Sequence, residues 1–149
     1  MPTLDDVAAL AATEHGLVTV ATLRADGSIQ ASVVNAGVLP HPASGRPVVG
    51  FVTYGRAKLA HLRVRPQVTV TFRHGWQWVT VEGRAELAGP DDAPAWPADG
   101  ERLRLLLREV FTAAGGRHDD WAEYDRVMAE QRRTAVLIEP TRTYGPSRG

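Results

Sequence analysis

The chain has 149 residues, 44% of them apolar and 23% charged, enough for one domain with a substantial core. Its formal net charge is zero, so no long-range field draws it to nucleic acid or to an anionic membrane. It contains no cysteine, which excludes disulfides, thiolate metal sites and cysteine nucleophiles, and of its 17 basic residues only Lys58 is a lysine.

No apolar run approaches the roughly 20 residues that span a bilayer, and the N-terminus lacks a signal-peptide pattern. These features predict a cytoplasmic protein that occupies residues 1–149 as a single domain. Leu4, Val7, Ala8 and Ala11 recur at helical spacing behind Asp5 and Asp6, and Gly16 stops the helix. Leu17 to Leu23 reads as a first strand, Asp26-Gly27 as a turn, and Ile29 to Leu39 as a second strand. Three prolines and a glycine make 40–47 a loop before a third strand, Val48 to Thr53.

Lys58 to Arg65 has helical character and ends at Pro66. Gln67 to Arg73 alternates, with Val68, Val70 and Phe72 on one face, and His74-Gly75 turns the chain into a long strand, Trp76 to Leu87. A linker rich in proline and aspartate, 88–100, leads to a helix whose stripe is Leu103, Leu106, Leu107, Val110, Phe111 and Ala114. That stripe reads as core, and Arg104 and Arg108 as a solvated face. Gly115-Gly116 stops this helix, a second begins near His118-Asp119-Asp120, and Thr134 to Thr143 is a last strand. About six strands with two helices inserted before the last predict a mainly β (α+β) fold closed as a barrel, because closure removes open sheet edges.

Several chemistries are missing. There is no dinucleotide fingerprint, P-loop or nucleophile elbow, and the five histidines are scattered, so neither a metal site nor a protein-only hydrolase is predicted. What stands out is Arg56-Ala57-Lys58 where a strand leads into a helix. Cations at a helix N-terminus oppose its partial positive charge, a conflict that a bound anion removes. The alternative is that both side chains point into solvent. On the long strand, Val79 and Val81 share one face, and Trp76, Trp78, Thr80 and Glu82 share the other. Valines turned inward send the tryptophans outward, to a partner surface, a stacking ligand or a covering helix. Arg132-Arg133 sits where a helix C-terminus favours cations.

With these residues in view, the chain resembles the pyridoxamine phosphate oxidase-like split-barrel superfamily, specifically its small actinobacterial F420-dependent members. The resemblance runs nearly end to end. It rests on Val20-Ala21-Thr22-Leu23, Asp26-Gly27, Gln30-Ala31-Ser32, Arg56-Ala57-Lys58 with Leu62 and Arg65-Pro66, and Gly75-Trp76 with Val81-Glu82-Gly83. Asp120-Trp121, Tyr124, Met128, Arg132-Arg133 and Tyr144-Gly145 complete it.

The resemblance implies a six-stranded Greek-key split β-barrel with flanking helices, a homodimer with two interfacial cofactor sites. It implies that Arg56, Ala57 and Lys58 take the cofactor phosphate. The ring would lie against Gln30, Ser32, Val33 and Val34 of strand two and Val52-Thr53 of strand three. The partner subunit would close the site, Trp76 and Trp78 match positions near it, and Arg132 is a further candidate for the same role. The implied activity is hydride transfer from reduced coenzyme F420 to a small unsaturated substrate. FMN is the alternative cofactor, in an oxidase or reductase, and a non-catalytic carrier is a further alternative. No side chain stands out as a proton donor.

Overall fold

The structure, a computed structural model, describes residues 2–146. Ten elements follow one another: α1 (Leu4–Thr13), β1 (Leu17–Leu23), β2 (Ile29–Pro40), β3 (Pro47–Thr53), α2 (Arg56–Val64), β4 (Gln67–His74), β5 (Gln77–Ala88), α3 (Gly100–Ala113), α4 (Trp121–Glu130) and β6 (Thr134–Tyr144). The strands close into one antiparallel barrel in the order β1-β2-β3-β6-β5-β4, with β4 returning to pair with β1. Among the described residues, no helix is long and apolar enough to cross a membrane.

Period-two alternation builds the barrel interior. Val18 and Val20, Val49 and Phe51, Val68, Val70 and Phe72, Val79 and Val81, and Val136 and Ile138 are all buried there. Helix α1 adds Val7, Leu10 and Ala11 to this core, capped by Thr3, whose hydroxyl accepts from the Asp6 amide. Helix α3 builds a second core, in which Leu106 and Val110 pack with Leu39, Val48, Ala135 and Leu137. Full burial of those two side chains stabilises the docking of α3 by roughly 1.5–3 kcal/mol each.

Three expectations need correction. His74 pairs with Gln77, so the turn between β4 and β5 is Gly75-Trp76, with Gly75 in the left-handed region at φ +62°. Trp76 therefore stands at the hairpin tip, 95% exposed, and does not share a strand face with Trp78. Trp78 is half-buried, edge-on to Tyr144, beside a groove whose other wall is α1. Helix α2 begins at Arg56, two residues before Lys58. Finally, Arg104 and Arg108 are not merely solvated, because both bind Asp125 of α4.

Candidate functional site

The site begins as a break in one strand ladder. β2 pairs with β1 from Ile29 to Asn35, but it pairs with β3 only from Ala36 to Pro40. β3 continues past that point along β6, through Val52↔Ala135 and Thr53↔Thr134. The β2–β3 seam is thus open beyond Ala36↔Phe51. The Ala36 amide donates to the Gly16 carbonyl, on the β1 side. Strand alternation then turns the backbone groups of Val33 and Asn35 toward the opening.

Helices roof the seam. The resulting groove, of about 470 Å³, is bounded by Val33, Val34 and Asn35 on β2 and by Val52, Thr53, Tyr54 and Gly55 at the end of β3. Lys58, Val110, Phe111, Ala114, Tyr124, Met128 and Arg133 complete its wall. Tyr124 donates its hydroxyl to the Leu107 carbonyl at 2.9 Å, and burial pushes the phenol up to about 12, so it stays protonated. Helix α4 is held to α3 by Asp125, which accepts from Arg104 at 2.8 Å and from Arg108 at 2.9 Å. Those guanidinium bonds, Arg108 first, keep the Asp125 carboxyl below the usual carboxylate range.

The electrostatics of the groove are one-sided. Gly55 caps α2 without a side-chain bond, and the first turn of α2 contains no acidic residue. Lys58 is half-buried, 6.0 Å from the Phe51 ring centroid, and burial lowers the pKa of its ammonium. The Arg133 guanidinium lies 3.9 Å over the Tyr54 ring, its Nε donates to the Gln131 side-chain oxygen at 2.8 Å, and burial lowers its pKa as well. Among the described residues neither Lys58 nor Arg133 has a carboxylate partner. Two partly desolvated cations sharing one groove without a counterion favour an incoming anion.

The structure brings Val33, Val34, Val52, Thr53 and Lys58 into this groove. Arg56 and Ala57 are exposed in the first turn of α2, next in sequence to the lining Gly55. Gln30 and Ser32 point into the barrel, where Gln30 Oε1 and Ser32 Oγ are enclosed without a hydrogen-bond partner. Trp76 and Trp78 belong to the β4–β5 hairpin and do not line the groove of their own chain. Arg132 is not brought to it either. Its backbone is left-handed at φ +50°, and its side chain reaches Asp91 at 2.5 Å. Arg133 takes the place in the groove instead. Extending the register Thr53↔Thr134 by one step sets Tyr54 against Arg133, which explains their stacking. Asn35, Phe111, Tyr124 and Met128 also line the groove without standing out as site residues in the sequence.

The sequence profile for pyridoxamine 5'-phosphate oxidase matches residues 4–145. The chain belongs to that family. Membership supports a general character as a flavin-binding oxidoreductase. Several solved structures share the fold. A conserved hypothetical protein from Mycobacterium tuberculosis, Rv2991, superposes with a TM-score of 0.68 at 20% identity, covering 97% of this chain and 84% of that one. An F420 reductase aligns at 0.56 and 17% identity, over 86% of this chain and 88% of its own. An FMN-binding, pyridoxamine 5'-phosphate oxidase-related protein from Nostoc punctiforme aligns at 0.61 and 12% identity, over 97% and 84% respectively. At these identities the likeness is one of fold.

Proposed function

We propose that this pyridoxamine 5'-phosphate oxidase family member is a reductase that holds coenzyme F420 in the open β2–β3 seam and acts as a homodimer on a small unsaturated organic acceptor. The observation that carries this reading is Lys58: the chain's one lysine, half-buried, without a carboxylate partner among the described residues, beside an α2 N-terminus that has no side-chain cap. The residues fit a flat, phosphate-bearing group. Lys58, Arg56 and the first amides of α2 would hold the phosphate. The free strand edge at Val33 and Asn35, with Val34, Val52 and Thr53, would meet the ring.

When bound, the reduced deazaflavin supplies a hydride, and the chain's task is to orient the acceptor and exclude water. Val110, Phe111 and Met128 provide the dry wall. The outer face of β1 and β2 is the surface we assign to the second copy. Its cross-strand pairs, Thr19↔Val33, Ala21↔Ala31 and Leu23↔Ile29, carry no charge, and Ile29 and Val33 are more than 60% exposed. A partner seated there lies beside the seam, since Val33 belongs to both surfaces. To the exposed Trp76 of the hairpin tip we assign the closing of the neighbouring site.

Titration of the purified protein with F420 and with FMN, followed by fluorescence, tests the reading. Saturable F420 binding that weakens in Lys58→Ala supports it. No saturable F420 binding, or an indifferent Lys58→Ala variant, overturns it. Tighter FMN binding shifts the assignment to an FMN-dependent enzyme, a second reading favoured by the FMN-binding relative of the same fold.

A further inference from the structure

Behind the groove lies a second cavity, of about 320 Å³, between the end of β5 and the two helices. Ala88, Pro90, Leu103, Leu107, Met128 and Ala129 give it an apolar lining. Leu103 and Leu107 belong to the α3 stripe, yet unlike Leu106 and Val110 they are only partly buried and present carbon to this space. Met128 and Arg133 line both the cavity and the groove, so these two side chains are the partition between them. Two other charged side chains on the wall, Arg104 and Asp125, are bonded to each other. Arg133 is therefore the charge on this wall without an ionic partner among the described residues.

We propose that this cavity binds the carbon skeleton of a small amphiphilic monocarboxylate whose carboxylate pairs with Arg133 at the mouth shared with the groove. Charge and shape agree on that ligand class. A cavity at the lower end of the usual size range for ligand sites, about 300–1,000 Å³, takes a short chain or a single ring. The guanidinium fork matches a carboxylate in two-point geometry. A purely apolar ligand would leave Arg133 unpaired, and a dianion would find the wall's second cation, Arg104, already bonded to Asp125. This binding does not rest on the function proposed above.

The test uses octanoate as the probe, with octanol and hexanoate as comparators, titrated calorimetrically into the full chain with and without F420. Octanoate is expected to bind saturably, octanol roughly tenfold to a hundredfold more weakly for want of the charge-assisted bonds. Each methylene removed should weaken binding about fourfold. Arg133→Gln should lower octanoate to the affinity of octanol and leave octanol unchanged. Ala129→Phe, at an exposed helix position facing the cavity, should abolish binding of both probes without affecting F420. Equal affinity for octanoate and octanol, no saturable octanoate binding, or indifference to Ala129→Phe would each overturn the proposal. Octanoate binding in a protein that ignores F420 would uphold the cavity and remove the cofactor assignment, and the converse would do the opposite.

Discussion

Replacing Gly37 by alanine should displace α3 and with it one wall of the groove. A Cβ built on Gly37 lies 2.0 Å from the Ala113 carbonyl oxygen, 2.3 Å from its carbon and 2.7 Å from the Ala114 nitrogen. These are backbone atoms of the end of α3, so no side-chain rotation relieves the clash. Ordinary contact begins at 3.4 Å, and the helix end must retreat by about 1.4 Å, the difference between 3.4 and 2.0. Val110, Phe111 and Ala114 retreat with it, which loosens the second core and widens the groove. Overpacking of this kind costs about 1–3 kcal/mol, and in a chain of this size each kcal/mol lowers Tm by roughly 2–4 °C. Gly100→Ala is the control in the same helix. It is the first residue of α3, where its Cβ meets nothing within 4 Å, so the substitution should not lower Tm. Circular dichroism melts and cofactor titrations on both variants give the comparison. Should Gly37→Ala melt with the wild type and bind cofactor equally well, α3 is not seated on Gly37 and the description of the groove wall is wrong.

Three further outcomes follow from the same geometry. Lys58→Ala should weaken cofactor binding roughly tenfold to a hundredfold, the range for a charge-assisted hydrogen bond, with no loss of Tm in the cofactor-free protein. Val33→Lys, on the uncharged outer face, should convert the proposed dimer to a monomer in sedimentation experiments, and a wild-type protein that sediments as a monomer contradicts the proposed interface. Asp125 has its pKa lowered by Arg108 and then Arg104, so the stability it contributes is fully present above the ordinary aspartate value near 3.8 and is lost as pH falls through its depressed value. Acid melts should therefore show a loss of stability below about pH 4 that is smaller in Asp125→Asn, and an Asn variant with the same acid profile would remove Asp125 from the account.

The strands were legible because alternation is a local signal. Leu17–Leu23 was read at its observed bounds, and Val68, Val70 and Phe72 do share the interior face. Tertiary effects blurred the rest. The stripe on α3 looked uniform in sequence, yet Leu106 and Val110 enter the core while Leu103 and Leu107 line a cavity and Phe111 lines the groove. Hydrophobicity marks the face a helix buries but not how completely each position is filled. Arg104 and Arg108 read as solvated because their partner, Asp125, belongs to a different helix.

The candidate site was visible in one half and hidden in the other. Arg56 and Lys58 drew attention because cations oppose the positive end of a helix. Helical character is evident in the sequence from Lys58, whereas α2 begins at Arg56 with no acidic residue in its first turn. A helix that begins where its own electrostatics disfavour it marks a place where folding is not the only demand on the residues. The seam follows a different logic. β2 is continuous over twelve residues, and only its pairing changes at Ala36, from β1 to β3. Register is a relation between strands, so no residue in β2 announces the opening. Arg133 was missed for a related reason: the left-handed backbone at Arg132 sends the two arginines apart, one to Asp91 and the other over Tyr54. Which member of an arginine pair faces a groove depends on one dihedral angle, and the pairing of β3 with β6 carries that choice into the site.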